Sequence, residues 1–191
     1  MLKYIFSLVF CGVLFNSSAQ KFNIDPGHTA ITSKVERFGM VYILGRFSEI
    51  EGEINFDPEN LNNLSAEVVI KTASYSSNNV AGEQAVKSPA FLDVTKFPDM
   101  IFVSDRVENR KGELTMFGKL TLHGITKDIQ FPFTLINPSK DPTGENTLAV
   151  HAILSLNRLD YGITFSRKLP NGKEFIGTKV QIELNVLAVH N

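Results

Sequence analysis

The sequence predicts an all-β domain of eight antiparallel strands. Three observations point there. Apolar and polar residues alternate with a period of two along most of the chain, as half-buried strands require. Clusters of turn-forming residues separate the alternating segments. The intervals between segments leave no room for the crossover helices of a parallel sheet.

The first candidate strand runs from Phe22 to Val35. The second places Ile50, Gly52, Ile54 and Phe56 on one face and Glu49, Glu51, Glu53 and Asn55 on the other. That acidic row reads as a solvated outer surface. Beyond the turn Asp57-Pro58-Glu59-Asn60, a third row holds Leu64, Ala66, Val68 and Ile70. Ser76 to Asp99 breaks the alternation. There Asn78 or Asn79 caps a short helix reaching about Lys87, and Pro89 stops it. Phe91, Leu92 and Phe97 then form an apolar knot, and another strand follows Pro98. Past a turn at Asn109 to Gly112 comes the row Leu114, Met116, Gly118, Leu120 and Leu122. The pair His123-Gly124 turns it into Ile129, Phe131, Phe133 and Leu135. A turn over Asn137 to Gly144 precedes Leu148, Val150, Ala152, Leu154 and Leu156. After Pro170-Asn171-Gly172, the last row is Val180, Ile182, Leu184, Val186 and Ala188.

Eight such strands close into a barrel or split into a sandwich, and closure removes exposed edges. A barrel of this size either just fills with side chains or holds one slim ligand. Gly52 and Gly118 fall on the apolar face, where glycine leaves space beside bulky neighbours or marks a bend. Space there favours a cavity.

The first 19 residues read as a secretory signal: Lys3, an apolar run from Tyr4 to Phe15, and small residues at Ser17-Ser18-Ala19. That run is too short to span a membrane. Residues 20–191 then form one domain, expected in the periplasm or outside the cell, with no stable membrane anchor. The only cysteine, Cys11, lies within the run, so the mature domain has no disulfide and no thiolate chemistry. A net charge of -1 gives no footprint for nucleic acid. Four scattered histidines lack metal-ligand spacing, and the serines lack a nucleophile elbow. No metal, cofactor or catalytic constellation is expected.

Five segments together resemble the YceI-like family: "FNIDPGHTAITSKVERFGM", "GRFSEIEGEINFD", "KSPAFLDVTKFPDMIFVS", "GKLTLHGITKDIQF" and "LNRLDYGI". The similarity runs from about Phe22 to Val189 in the family's order. It implies an elongated, lipocalin-like, eight-stranded antiparallel barrel with short helices near the mouth. It also implies a periplasmic or secreted protein that binds a long polyisoprenoid chain, that of a quinone or a polyprenyl lipid, and has been loosely linked to envelope stress. One departure stands out. Where many members carry Asp-x-His-Leu before the Ser-Pro pair, this chain has Glu83-Gln84-Ala85-Val86.

The leading expectation is therefore a non-catalytic lipid-binding barrel. Ile31, Phe47, Ile54, Met100, Phe102, Leu120, Phe131, Phe133, Leu154, Leu156 and Ile182 would line the tail site. His28, Phe38, Phe91, Tyr161 and Phe165 would frame the mouth. The partner is the isoprenoid lipid and, as an option, a second copy of the chain. One rival is a lipid-modifying or hydrolytic enzyme using His28 and His123, which needs both imidazoles at one opening. Another is an envelope interaction module with a solid interior. By strand parity His123 points outward, so the turn role is favoured for it.

Overall fold

The computed structural model describes residues 19–190, so the expected signal segment lies outside the described residues except for Ala19. The strands are β1 (Gln20–Ile24), β2 (Ala30–Arg37), β3 (Val41–Phe47), β4 (Ile50–Phe56), β5 (Ser65–Lys71) and β6 (Tyr75–Ser76). The single α-helix among the described residues, α1 (Val80–Lys87), is followed by β7 (Asp99–Arg110), β8 (Glu113–Leu122), β9 (Ile125–Lys140), β10 (Asn146–Asn157) and β11 (Ile176–His190).

The expected count of eight is recovered because three long strands are each interrupted once. β1 and β2 both lie along the same edge of β11, β4 and β3 continue one another, and β6 prolongs β5. All pairings are antiparallel, and the contacts of β1 and β2 with β11 close the ring. The fold is a closed eight-stranded antiparallel barrel, as expected.

The interruptions are bridged by side chains. Pro26 cannot donate to the ladder, and Asp25 Oδ1 accepts from Gly27 N at 2.8 Å. The buried Thr29 hydroxyl then replaces the missing rungs. It donates to Leu187 O at 3.3 Å and accepts from Leu187 N at 3.1 Å. At the next break Ser48 N donates to Ser74 Oγ, which itself donates to Lys71 O at 2.7 Å. Thr72 Oγ1 donates to the carbonyls of Phe97 and Pro98. These hydroxyls satisfy backbone groups that burial would otherwise leave unpaired.

Below the breaks the barrel is solid. Phe22, Ile54, Phe56, Leu64, Val107, Met116, Phe133, Leu148 and Ala188 are all buried there. The Phe22 and Phe56 rings meet edge to face at 6.3 Å. Gly52 and Gly118 belong to tight crossings rather than to open space. A Cβ at Gly118 would stand 2.5 Å from Val103 O and 2.7 Å from the Phe102 ring, and one at Gly52 would strike Glu67 O. The expected turn over Asn137 to Gly144 is shorter in the structure. β9 continues to Lys140, and Asp141 Oδ1 gathers Thr143 N and Glu145 N into the turn.

Candidate functional site

Above the breaks the interior is hollow. The cavity holds about 580 Å³, within the range of pockets for small organic ligands. Its walls carry branched aliphatic side chains, among them Ile31, Val35, Val68, Ile70, Val180 and Ile182. A barrel of eight strands is wide enough to hold one small ligand where its side chains leave the interior unfilled. Phe47, Met100, Phe102, Leu120, Phe131 and Leu156 complete the lining.

The roof comes from the segment that lacks alternation. Asn79 caps α1 as expected, its Oδ1 accepting from Gly82 N at 2.8 Å. Small residues of α1, Ala81, Gly82 and Ala85, border the cavity together with Val86. Gln84, near the place of the absent family histidine, is exposed. After α1 the chain knots on itself. Leu92 N donates to Val86 O, Asp93 N to Ser88 O and Val94 N to Lys87 O. This holds Phe91 and Leu92 over the opening. A relay of rings frames the mouth: Phe91 to Phe165 at 4.9 Å, Phe165 to Phe175 at 6.4 Å, and Phe175 to Phe38 at 4.8 Å.

Few polar groups reach this space. Burial pushes the Tyr75 phenol above its usual range; a hydrogen bond with Ser33 opposes that and the charge of Glu83 adds to it. The buried Arg158 guanidinium donates to the carbonyls of Gly177 at 3.0 Å, Ile163 at 2.5 Å and Ile176 at 3.3 Å. Burial lowers its pKa, and Glu174 acts in the opposite sense. Arg158 thereby ties the turn at Arg158–Tyr161 to the start of β11. Arg37 differs. Its guanidinium lies 4.6 Å from the Phe38 ring centre and 5.3 Å from that of Phe175, and its buried Nε has no hydrogen-bond partner among the described residues.

Ten of the sixteen expected residues line the cavity: Ile31, Phe47, Met100, Phe102, Leu120, Phe131, Leu156, Ile182, Phe91 and Phe165. Ile54 and Phe133 face inward but sit in the solid half, and Leu154 packs against the core without reaching the space. Tyr161 is buried beside the mouth, outside the lining. Phe38 stands at the rim against Phe175.

The mouth position expected for His28 is corrected. β2 runs toward the mouth, so the residues before it lie roughly 25 Å lower at 3.3 Å per residue. His28 is exposed there, with Nδ1 2.6 Å from Asp25 Oδ2. His123 is at the mouth end, where both His123 (φ 52°) and Gly124 (φ 73°) adopt the positive angles of a two-residue hairpin turn. Its ring lies 4.3 Å from Phe97, and Nδ1 is 3.1 Å from Tyr161 O. The two imidazoles are not brought to one opening. Among the described residues, no group of three or more His, Cys, Asp or Glu is placed to hold a metal.

Arg37, Arg158, Ser33 and Tyr75 were not among the expected site residues. Arg37 carried a readable signal, since it shares the inward parity of Ile31, Ser33 and Val35. A charge at an inward position needs a reason. Arg158 carried none, because its burial depends on the chain folding back through Ile163 and Ile176.

Known proteins match this architecture. The YceI-like domain family matches residues 22–188. A UPF0312 protein of Pseudomonas putida is 33% identical over 171 residues, spanning 85% of this chain and 88% of the relative. One of Vibrio cholerae is 34% identical over 152 residues, spanning 78% and 80%. Among solved structures, BcnA of Burkholderia cenocepacia superposes with a TM-score of 0.74 at 19% identity, covering 86% of this chain and 98% of that one. A polyisoprenoid binding domain from Saccharophagus degradans gives 0.64 at 12% identity, covering 91% and 100%. Ring closure, the sequence match over nearly the whole barrel and these folds agree: the chain belongs to the YceI-like family.

Proposed function

We propose that this protein is a periplasmic or secreted carrier that holds one long isoprenoid chain, of a quinone or a polyprenyl lipid, in the upper half of its barrel. The observation that carries the reading is the apolar hollow of about 580 Å³ above a solid floor. A five-carbon isoprene unit moved from water into such a space gains roughly 4 kcal/mol before ordering costs. The tail runs down past Phe131 and Ile182 and stops at the packed half. An oxygen of the head group accepts from the Arg37 guanidinium, which lines the cavity beside Phe175. The role is binding and shielding rather than catalysis, and no cofactor takes part. The fold shared with the Saccharophagus degradans domain supports the reading.

Solvent extraction and mass spectrometry of protein purified from its native envelope test this. An isoprenoid lipid in about one copy per chain is expected, and Ile182→Trp, which fills the hollow, removes it. Protein that is consistently empty, or lipid that persists unchanged in the plugged variant, would refute the proposal.

A further inference from the structure

We propose that the β2–β3 hairpin docks this protein on an anionic lipid bilayer, with the cavity mouth facing the membrane. Met40, Val41, Tyr42 and Leu44 are 80, 55, 61 and 64% exposed. Singly exposed apolar residues are ordinary, but four among five consecutive positions form a patch. The adjoining backbone edge is also open. β3 pairs with β2 along its whole length, whereas β6 reaches only Arg46 and Phe47. Residues 41–45 therefore have no strand partner on that side among the described residues.

Charge and position select the occupant. The segment 167–174 packs beside this hairpin, with Phe38 N donating to Phe175 O at 3.1 Å and Lys173 Nζ to Gly39 O at 3.1 Å. Residues 34–44 and 167–174 together contain Lys34, Arg37, Arg167, Lys168 and Lys173, against only Glu36 and Glu174. Lys34 Nζ stands 4.5 Å over the Tyr42 ring, and Arg167 lies 5.1 Å from that of Phe175. The apolar tip thus wears a cationic collar, although the whole chain has a net charge of -1. An apolar tip with Tyr, Lys and Arg around it suits the boundary between head groups and acyl chains. Each nearby cation adds attraction to an anionic leaflet. The patch is also continuous with the cavity, because Arg37, Ile43 and Phe175 line it. A second copy fits less well. Symmetric pairing of two β3 edges would bring two surfaces of the same positive sign together.

The inference concerns the outer surface and stands apart from the contents of the cavity. The test is co-sedimentation of the full chain with vesicles of phosphatidylcholine alone and of a phosphatidylcholine–phosphatidylglycerol mixture. Binding to the mixed vesicles is expected, weakening with salt. Met40→Glu with Leu44→Glu should abolish it, and Lys34→Gln with Lys173→Gln should weaken it on the order of tenfold. Thermal melting of both variants, compared with the wild type, separates lost docking from lost folding. No binding to mixed vesicles, or equal binding by wild type and both variants, overturns the proposal. So does a dimer in sedimentation velocity that the Met40/Leu44 variant dissolves, which gives the patch to a second copy. Lipid extraction from the same preparations reads the cavity separately: an empty barrel that still binds vesicles sinks the carrier reading and leaves the docking intact.

Discussion

Phe131 and Phe133 offer an internal comparison of the two halves of the barrel. They lie two residues apart on β9, face the same way and are each 6% exposed. Truncation to alanine removes the same atoms from nearly the same degree of burial, so the transfer cost is shared. The surroundings differ. Phe133 belongs to the solid half, and its loss opens a void that neighbours refill only in part. Phe133→Ala should cost about 3–5 kcal/mol. Phe131 borders a space that is already empty, so its ring has fewer partner atoms to lose. Phe131→Ala should cost little beyond transfer, about 2–3 kcal/mol. The difference of about 1–2 kcal/mol is roughly 0.5–1 M in urea midpoint, at a slope near 2 kcal/mol per molar. The assay is urea unfolding followed by circular dichroism, on protein unfolded, extracted to remove lipid, and refolded. Equal losses at the two positions would mean that the upper half is as well filled as the lower. The account of the cavity would then be wrong.

Three further outcomes test the supports of the site. Thr29→Val keeps the shape but takes the partner from Leu187 N, while Leu187 O keeps its bond from Asp25 N, and should cost about 1–3 kcal/mol in urea unfolding; an unchanged midpoint would show that the hydroxyl is dispensable. Asn79→Ala should destabilise α1 by about 1 kcal/mol and speed amide exchange in the roof while β8 to β11 stay protected; unaltered exchange over Val80–Lys87 counts against the cap. The His28 hydrogen bond, opposed by desolvation and helped by the Gly27 amide, holds the Asp25 carboxyl below its ordinary value of 3.8. The stability it contributes is present above that value and lost as the pH falls through the lower, folded-state pKa. Wild type should therefore lose stability more steeply than Asp25→Asn below about pH 4, and parallel acid profiles would remove Asp25 from the account.

Much of this architecture is legible in the sequence because a strand has only two faces. Alternation sorted inward from outward residues in almost every row, so the inward rows of β4, β5, β8, β9, β10 and β11 are the rows read from the sequence. Local chemistry was equally readable. Asn79 begins a helix because its side chain reaches the free amide of Gly82, and His123-Gly124 turns a hairpin because both residues accept positive φ. Neither feature depends on distant parts of the chain.

Height along the barrel axis is not written in a period of two. Ile54 and Ile31 carry the same inward signal, yet one lies in the floor and the other borders the hollow. What separates them is the register of neighbouring strands and the breaks at 25–29, 48–49 and 72–74. Those are set by pairings between distant parts of the chain, as between Thr29 and Leu187, 158 positions apart. The same global geometry moved His28 away from the mouth, buried Arg158 under Ile163 and Ile176, and left Arg37 Nε buried without a hydrogen-bond partner among the described residues. The sequence by itself determined which side chains face inward and where the chain turns, since those follow from neighbours a few residues apart. Only the tertiary structure decided where the interior is full and where it is open, because that depends on whether side chains from opposite walls are long enough to meet.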